Sequence, residues 1–395
     1  MSLYTTFPSP GESALAHSHS VLTMIREQIL ASGEWISFEQ YMNLALYAPG
    51  LGYYSSGATK FGSAGDFVTA PEISSLFGRT LALQLLQISQ HLKHTDILEV
   101  GAGSGKLALD ILTELERTAE LPEKYLILEV SAELRQRQQT LLASRIPHLM
   151  QRVEWLEQLP DQFSGIILAN EVLDAMPVHL VAWHDDAIFE RGVTWHNNQF
   201  SWQDRSIQDT DLYEITNQMT PQINPDNHSN FEYVSEFSLS ATGFIRSLAS
   251  ILHQGVILLI DYGFGCNEYY HPQRSQGTLM CHYRHHAHDN PFYLPGLQDI
   301  TSHVDFSAIT RAASDSGLTL LGYTTQAFFL INSGITKILA QTSATDTARY
   351  LPQSNQLQKL VNPAEMGELF KVIAFGKKFT EPLIGFNTGD MSRLL

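Results

Sequence analysis

Eleven residues constrain this chain more than any others: Asp96-Ile-Leu-Glu-Val-Gly-Ala-Gly-Ser-Gly-Lys106, an apolar segment that runs straight into Gly101, Gly103 and Gly105. The spacing predicts a buried strand over Asp96–Val100 that turns sharply into a helix from about Lys106 to Arg117. Glycines are needed there because a tight strand-to-helix turn must let bare backbone approach a ligand. The same alternation continues downstream. Strands are predicted at Tyr125–Val130, Gly165–Ala169, Val256–Asp261, Leu318–Thr324 and Leu369–Phe375, with helices near Ala132–Ser144, Leu239–Leu252 and Val304–Ser316. Strands alternating with helices form right-handed crossovers, so the expected fold is α/β with a doubly wound, mostly parallel sheet.

Residues 1–19 are polar and rich in Ser and Pro, and are expected to form a loose tail. Residues 20–92 read as a helical N-terminal extension. Val21, Leu22, Ile25 and Ile29 recur at helical spacing, as do Phe38, Tyr41, Met42 and Leu46. A third helix is expected to open at Thr69, which has capping-box spacing to Glu72 with Pro71 in the first turn, and to run towards His91. The main domain then spans 93–378, with a β-rich insertion at about 178–235, and 379–395 form a polar tail.

With 395 residues and 44% apolar content, a sizeable core forms without staples. Cys266 and Cys281 make no CxxC pair, which offers neither a disulfide framework nor a zinc motif. The net charge is −17, with lysines and arginines scattered singly, so nucleic acid is not the expected partner. The N-terminus shows neither a secretory signal nor the arginines of a mitochondrial presequence, and the apolar runs are strand-sized. The expectation is a cytoplasmic protein without membrane insertion.

Spacing separates the cofactors that use glycine loops. A phosphate-cradling GxxxxGK[ST] loop fails, because Val100 stands at the first glycine position and Leu107 follows Lys106. A dinucleotide GxGxxG fails at Lys106. What remains is Glu-x-Gly-x-Gly-x-Gly from Glu99 to Gly105, the form seen in class I methyltransferases. Glu129, at the end of the next predicted strand, is placed to accept hydrogen bonds from ribose hydroxyls. Asn170, Glu171 and Asp174 follow the third strand, where residues face the ligand crevice of an open parallel sheet. Two carboxylates there can clamp a guanidinium; the structural alternative is a helix start with Asn170 as its cap. Asp261-Tyr262-Gly263 ends another strand and reads equally well as a turn. His282, His285, His286 and His288 lack a matching distant ligand set and read as a polar loop, so no metal is expected. Ser302 and Asp305 have capping-box spacing, which makes His303 a helix-start residue. The pairs Tyr53-Tyr54 and Phe328-Phe329 read as packing.

Gly65-Asp-Phe-Val-Thr-Ala-Pro-Glu-Ile-Ser74, the glycine loop, Asn170-Glu-Val-Leu-Asp174, Ile260-Asp-Tyr-Gly263, His303-Val-Asp-Phe306 and Met366-Gly-Glu-Leu-Phe-Lys371 occur together and in order. In this combination the chain resembles the MidA-like family of class I S-adenosylmethionine-dependent methyltransferases, over roughly residues 20–378. That family includes the mitochondrial complex I assembly-factor protein arginine methyltransferase. The resemblance implies a seven-stranded class I sheet, S-adenosyl-L-methionine as cofactor, and a Gly65–Ser74 loop that closes over it, with Asp66 and Thr69 among the cofactor contacts. It further implies symmetric dimethylation of an arginine on a core subunit of NADH dehydrogenase during assembly. The partner is then a protein substrate, with self-association into a homo-oligomer left open. The insertion and the N-terminal helices are expected to form a wall for that substrate.

The expected chemistry is direct methyl transfer with no metal, Glu171 and Asp174 holding the guanidinium. Two alternatives stand beside it: a nicotinamide-dependent oxidoreductase on a similar sheet, and a non-catalytic assembly chaperone that keeps the fold.

Overall fold

The structure, a computed structural model, describes residues 7–55, 69–93, 95–224 and 231–395. It divides into two compact units. The larger comprises Val68–Leu173, Thr242–Gly265 and Val304–Leu395. Its sheet contains β1 (Asp96–Val100), β2 (Tyr125–Leu128), β3 (Val153–Leu156), β4 (Phe163–Asn170), β5 (Leu252–Phe264), β6 (Thr319–Thr325) and β7 (Phe370–Lys377). Their order is β3-β2-β1-β4-β5-β7-β6, and a two-residue strand, Val304–Asp305, pairs with the end of β5. β1 to β5 run parallel, and β7 is antiparallel to both its neighbours. This is the mostly parallel sheet that the alternation led us to expect, with the seven strands that the family resemblance implied; the edge strand Val153–Leu156 is not among those read from the sequence.

A parallel sheet must be covered on both faces, which is why its strands read as continuous apolar runs. On one face Ile97, Ile166, Leu168, Val256, Leu258, Ile260 and Val372 pack with Phe77, Leu81, Leu107 and Ile111 of the helices Ser75–Ser89 and Lys106–Arg117. The residues of opposite parity, including Leu98, Ile167, Leu259 and Phe375, are buried as well.

The smaller unit comprises Met1–Phe67, Asp174–Ala241 and Cys266–His303. Antiparallel strands Ile36–Ser37, Ala187–His196, His179–His184 and Tyr233–Phe237 pair in that order, with Gln199–Ser206 beside Ala187–His196. Met280–Tyr283, His286–His288 and Asp299–Thr301 form a second sheet. Asp185-Asp186, Asn197-Asn198 and Arg284-His285 each form a two-residue hairpin turn with positive φ at both positions. Mirror-image turns of this kind match the twist of the flanking strands.

Several expectations are corrected. The first helix is Glu12–Ala31, so residues 12–19 are helical rather than loose. The third helix breaks at Ser74 into Ala70–Ile73 and Ser75–Ser89. Thr69 caps the first piece without a side-chain bond, and Ser74 Oγ caps the second by accepting from Leu76 N. The insertion contains a helix, Thr210–Ile223, as well as strands. The helix after His303 is capped by Asp305, whose carboxylate accepts from Ser307 and Ala308 N–H, and not by Ser302. The histidine run forms a hairpin rather than a loop. Residues 379–395 are anchored by the buried side chains of Phe379, Leu383 and Phe386. Gly65–Val68 of the Gly65–Ser74 segment, Asp66 included, lie outside the described residues. Among the described residues no helix is long and apolar enough to cross a membrane.

Candidate active site

The carboxyl ends of β2, β1, β4 and β5 lie side by side in register. Val100 pairs with Leu128 and with Ala169, and Asn170 pairs with Ile260. Glu129, Gly101, Asn170-Glu171 and Asp261 therefore form a row across four strands, about 14 Å long at the usual strand spacing. Ligands of open parallel sheets bind at this edge.

Gly101, Gly103 and Gly105 have φ of 69°, 54° and 84°, in the left-handed region where a Cβ is strained. A Cβ at Gly101 would lie 2.9 Å from Val172 Cγ2, and one at Gly105 would lie 3.1 Å from Gln138 Cγ. Lys106, which follows the loop, is paired with Asp110 at 3.0 Å within its own helix. Ser104 Oγ donates to the Glu72 carboxylate, tying the short Ala70–Ile73 helix to the loop. Thr69 stands at the start of that helix, its carbonyl accepting from Glu72 N at 3.0 Å.

Glu129 is buried and fixed. One carboxylate oxygen accepts from Ser131 N at 2.9 Å and the other from Gln138 Nε2 at 3.1 Å. A carboxylate oxygen can accept more than one hydrogen bond. The next residue, Val130, is 76% exposed, an apolar side chain standing in solvent beside this carboxylate.

Glu99 lies beneath the loop on β1, and its Oε2 accepts from Tyr125 O–H at 2.6 Å. Burial outweighs that hydrogen bond, and the nearby Glu129 charge adds to it, so the Glu99 pKa is pushed from an ordinary 4.5 up to about 7. The folded state therefore favours the protonated carboxyl. The stability this confers is complete below pH 4.5 and is lost as pH rises through about 7. Glu99→Gln keeps an acceptor for Tyr125 but cannot ionise. It should be more stable than the parent at pH 8 by up to about 3 kcal/mol, with the difference vanishing near pH 4. Urea unfolding at the two pH values measures this, and a constant difference would contradict it.

Glu171 ends β4 with φ 54°, an uncommon conformation for a side chain of this size. Its backbone N–H donates to Ile260 O at 2.9 Å, and its Oε1 accepts from Asn170 Nδ2 at 3.1 Å. Asn170 Oδ1 is buried and finds no hydrogen-bond partner among the described residues. Asp261 is buried, and its oxygens accept from the N–H groups of Val172, Leu173 and Tyr262 at 2.9–3.2 Å. Asp261 thus anchors the turn that presents Glu171. No helix follows Asn170, so its expected alternative role as a helix cap does not arise.

Asp174 is buried and belongs to the smaller unit, where its carbonyl accepts from Ser302 N at 3.0 Å. There Tyr54 O–H meets both oxygens of the buried Asp299 at 2.9 and 3.0 Å and stacks on Tyr47. The His303 backbone N–H donates to Thr278 Oγ1. Of the Phe328-Phe329 pair, Phe329 is buried and Phe328 is exposed. Among the described residues no three His, Cys, Asp or Glu side chains gather as a metal-ligand set. Glu72, Val130 and Gln138 were not marked as site residues by spacing; Val130 follows Glu129 in the chain, and only the three-dimensional edge brings Glu72 and Gln138 to the loop and Glu129.

Residues 80–324 match the family described as "Putative S-adenosyl-L-methionine-dependent methyltransferase". A methyl transferase candidate from Burkholderia thailandensis, solved bound to S-adenosyl-homocysteine, is 46% identical with a TM-score of 0.94, covering 99% of this chain and 100% of that one. Protein arginine methyltransferase NDUFAF7, mitochondrial, of Danio rerio is 27% identical, covering 91% of this chain and 87% of its own length. The Homo sapiens protein of the same name is 28% identical, with 93% and 86% covered.

Proposed function

The chain belongs to the S-adenosyl-L-methionine-dependent methyltransferase family that its residues 80–324 match, and from that premise we propose that its methyl acceptor is a protein arginine. The observation that carries this reading is the placement of Glu171. An anionic side chain is held at positive φ at the carboxyl end of β4, in the same row as the glycine loop. The mitochondrial relatives named as protein arginine methyltransferases, matched over most of their length, support it.

The residues present fit the cofactor. Glu129 accepts the ribose hydroxyls, and Val130 offers an apolar face to the base. The bare backbone of Gly101, Gly103 and Gly105, with Glu99 on the preceding strand, would hold the methionine part. Asn170 Oδ1, which no described residue satisfies, would supply an acceptor. Thr69 is assigned to the cofactor as well; Asp66, given the same role by the family resemblance, lies outside the described residues. The Glu171 carboxylate suits a ligand that carries a sulfonium and an ammonium.

S-adenosylmethionine supplies a methyl group made electrophilic by its sulfonium. The chain's own task is the acceptor. A guanidinium is delocalised and stays protonated, which makes it a poor nucleophile. Glu171 binds it, aims one nitrogen and supplies the field that stabilises its charge, and the methyl replaces a proton on that nitrogen as S-adenosylhomocysteine leaves. The acceptor we infer, from the family's complex I assembly members, is a core subunit of NADH dehydrogenase, dimethylated symmetrically. The smaller unit, with its hairpins and N-terminal helices, serves that protein substrate.

Calorimetric titration with S-adenosylhomocysteine and with NAD tests the cofactor assignments. The former should bind and the latter should not. Glu129→Ala should weaken the former about tenfold or more, because a hydrogen bond to a charged group contributes about 1.5–3 kcal/mol. Unchanged affinity would remove Glu129 from the ribose site. The acceptor is tested by product analysis, in which label from the cofactor should reside on arginine.

A further inference from the structure

We propose that Gln138, oriented by Trp155, is a positioning residue for the cofactor: its one amide locks the Glu129 carboxylate and the glycine loop together. This rests on the reading of Glu129 as the ribose ligand.

The helix Ala132–Arg145 buries three side chains, Leu134, Gln138 and Leu142, at intervals of four residues. Gln138 therefore fills the middle of a core stripe where helical periodicity calls for a third leucine. It is fully buried. An amide there is destabilising unless its hydrogen bonds are made. They are made, and all to the cofactor edge or to a residue behind it. Nε2 donates one hydrogen to Gly103 O at 2.9 Å and the other to Glu129 Oε2 at 3.1 Å. Oε1 accepts from Trp155 Nε1 at 3.0 Å.

Chemistry fixes which way the amide points. A flipped amide would set its oxygen against two acceptors and its NH₂ against the indole N–H, which can only donate. Trp155, on β3, thereby sets the orientation that Glu129 and Gly103 require. Gly105 leaves room for the arrangement, since a Cβ there would come within 3.1–3.3 Å of Gln138. A polar residue that breaks the local apolar pattern, with both its N–H bonds directed at one site, marks function rather than packing.

The test compares Gln138→Met, which keeps length and apolar volume but loses the bonds, with Trp155→Phe and Glu129→Ala. Calorimetry gives the Kd of S-adenosylhomocysteine, and steady-state kinetics give KM for each substrate. Gln138→Met should raise that Kd and the KM for S-adenosylmethionine by roughly tenfold, with kcat and the acceptor KM within about twofold. Trp155→Phe should shift the same constants in the same direction by less, and it keeps the inference testable should Gln138→Met not fold. In a Glu129→Ala background the Gln138→Met effect should shrink to about threefold or less, because the two act through one contact. Full affinity in both Gln138→Met and Trp155→Phe, while Glu129→Ala is weakened, overturns this inference alone. So does a fall in kcat with unchanged cofactor KM, or losses that multiply fully in the double variant. Unchanged affinity in Glu129→Ala overturns the ribose reading itself.

Discussion

Gly103→Arg is expected to leave a folded protein that no longer binds S-adenosylhomocysteine. Gly103 sits at φ 54°, and a side chain in the left-handed region costs about 1–2 kcal/mol. That is small beside the roughly 5–15 kcal/mol that stabilises a domain. The lost binding has a different cause. The loop works only where bare backbone can approach the ligand, and an arginine at its centre fills that approach. Gly101 would be a poorer probe, because a Cβ there already meets Val172. A thermal melt should show a cooperative transition lowered by a few degrees, and calorimetry should show no heat of binding. Retained binding would mean that the cofactor lies elsewhere.

Glu171→Gln should cut methyl transfer by about 10²–10³ while cofactor affinity stays within a few-fold. The substitution keeps the shape and the hydrogen-bonding reach of the side chain and removes only its charge. Backbone placement should survive it, because the turn is held by Glu171 N–H to Ile260 O and by the Asp261 carboxylate on Val172 and Leu173. The loss is then electrostatic, at a group that holds a cation. Single-turnover rates with radiolabelled cofactor separate this from binding. Near-normal turnover would reduce Glu171 to a strained turn residue and shift attention to Asp174, since Asp261 is already engaged by three backbone N–H groups.

The sheet was legible because its signals are local. Asp96–Val100 and Lys106–Arg117 stand where the apolar run and the glycines place them, since a buried parallel strand and an amphipathic helix each leave their own period. Where two local signals conflict, the sequence misleads. The helix Thr210–Ile223 carries Pro221 inside it, and Pro argues against a helix until tertiary packing is known. The hairpin turn Arg284-His285 lacks the Asn or Gly that announces such a turn, so its histidines looked like a loop. Polar residues that lie on a buried stripe are harder still. Gln138 sits in a run of arginines and glutamines, and only the contacts with Gly103, Glu129 and Trp155 distinguish it from its neighbours. Glu72 showed its capping spacing to Thr69, whereas its carboxylate is spent on Ser104 instead.

We propose that this chain moves a methyl group from S-adenosylmethionine to a protein arginine. The most direct test is incubation of the protein with methyl-tritiated cofactor and the NADH dehydrogenase core subunit, followed by acid hydrolysis and amino-acid analysis. Label should co-elute with symmetric dimethylarginine and be absent when Glu171→Gln replaces the parent enzyme. Label on another residue type, or none from a protein that binds the cofactor, would contradict the proposal.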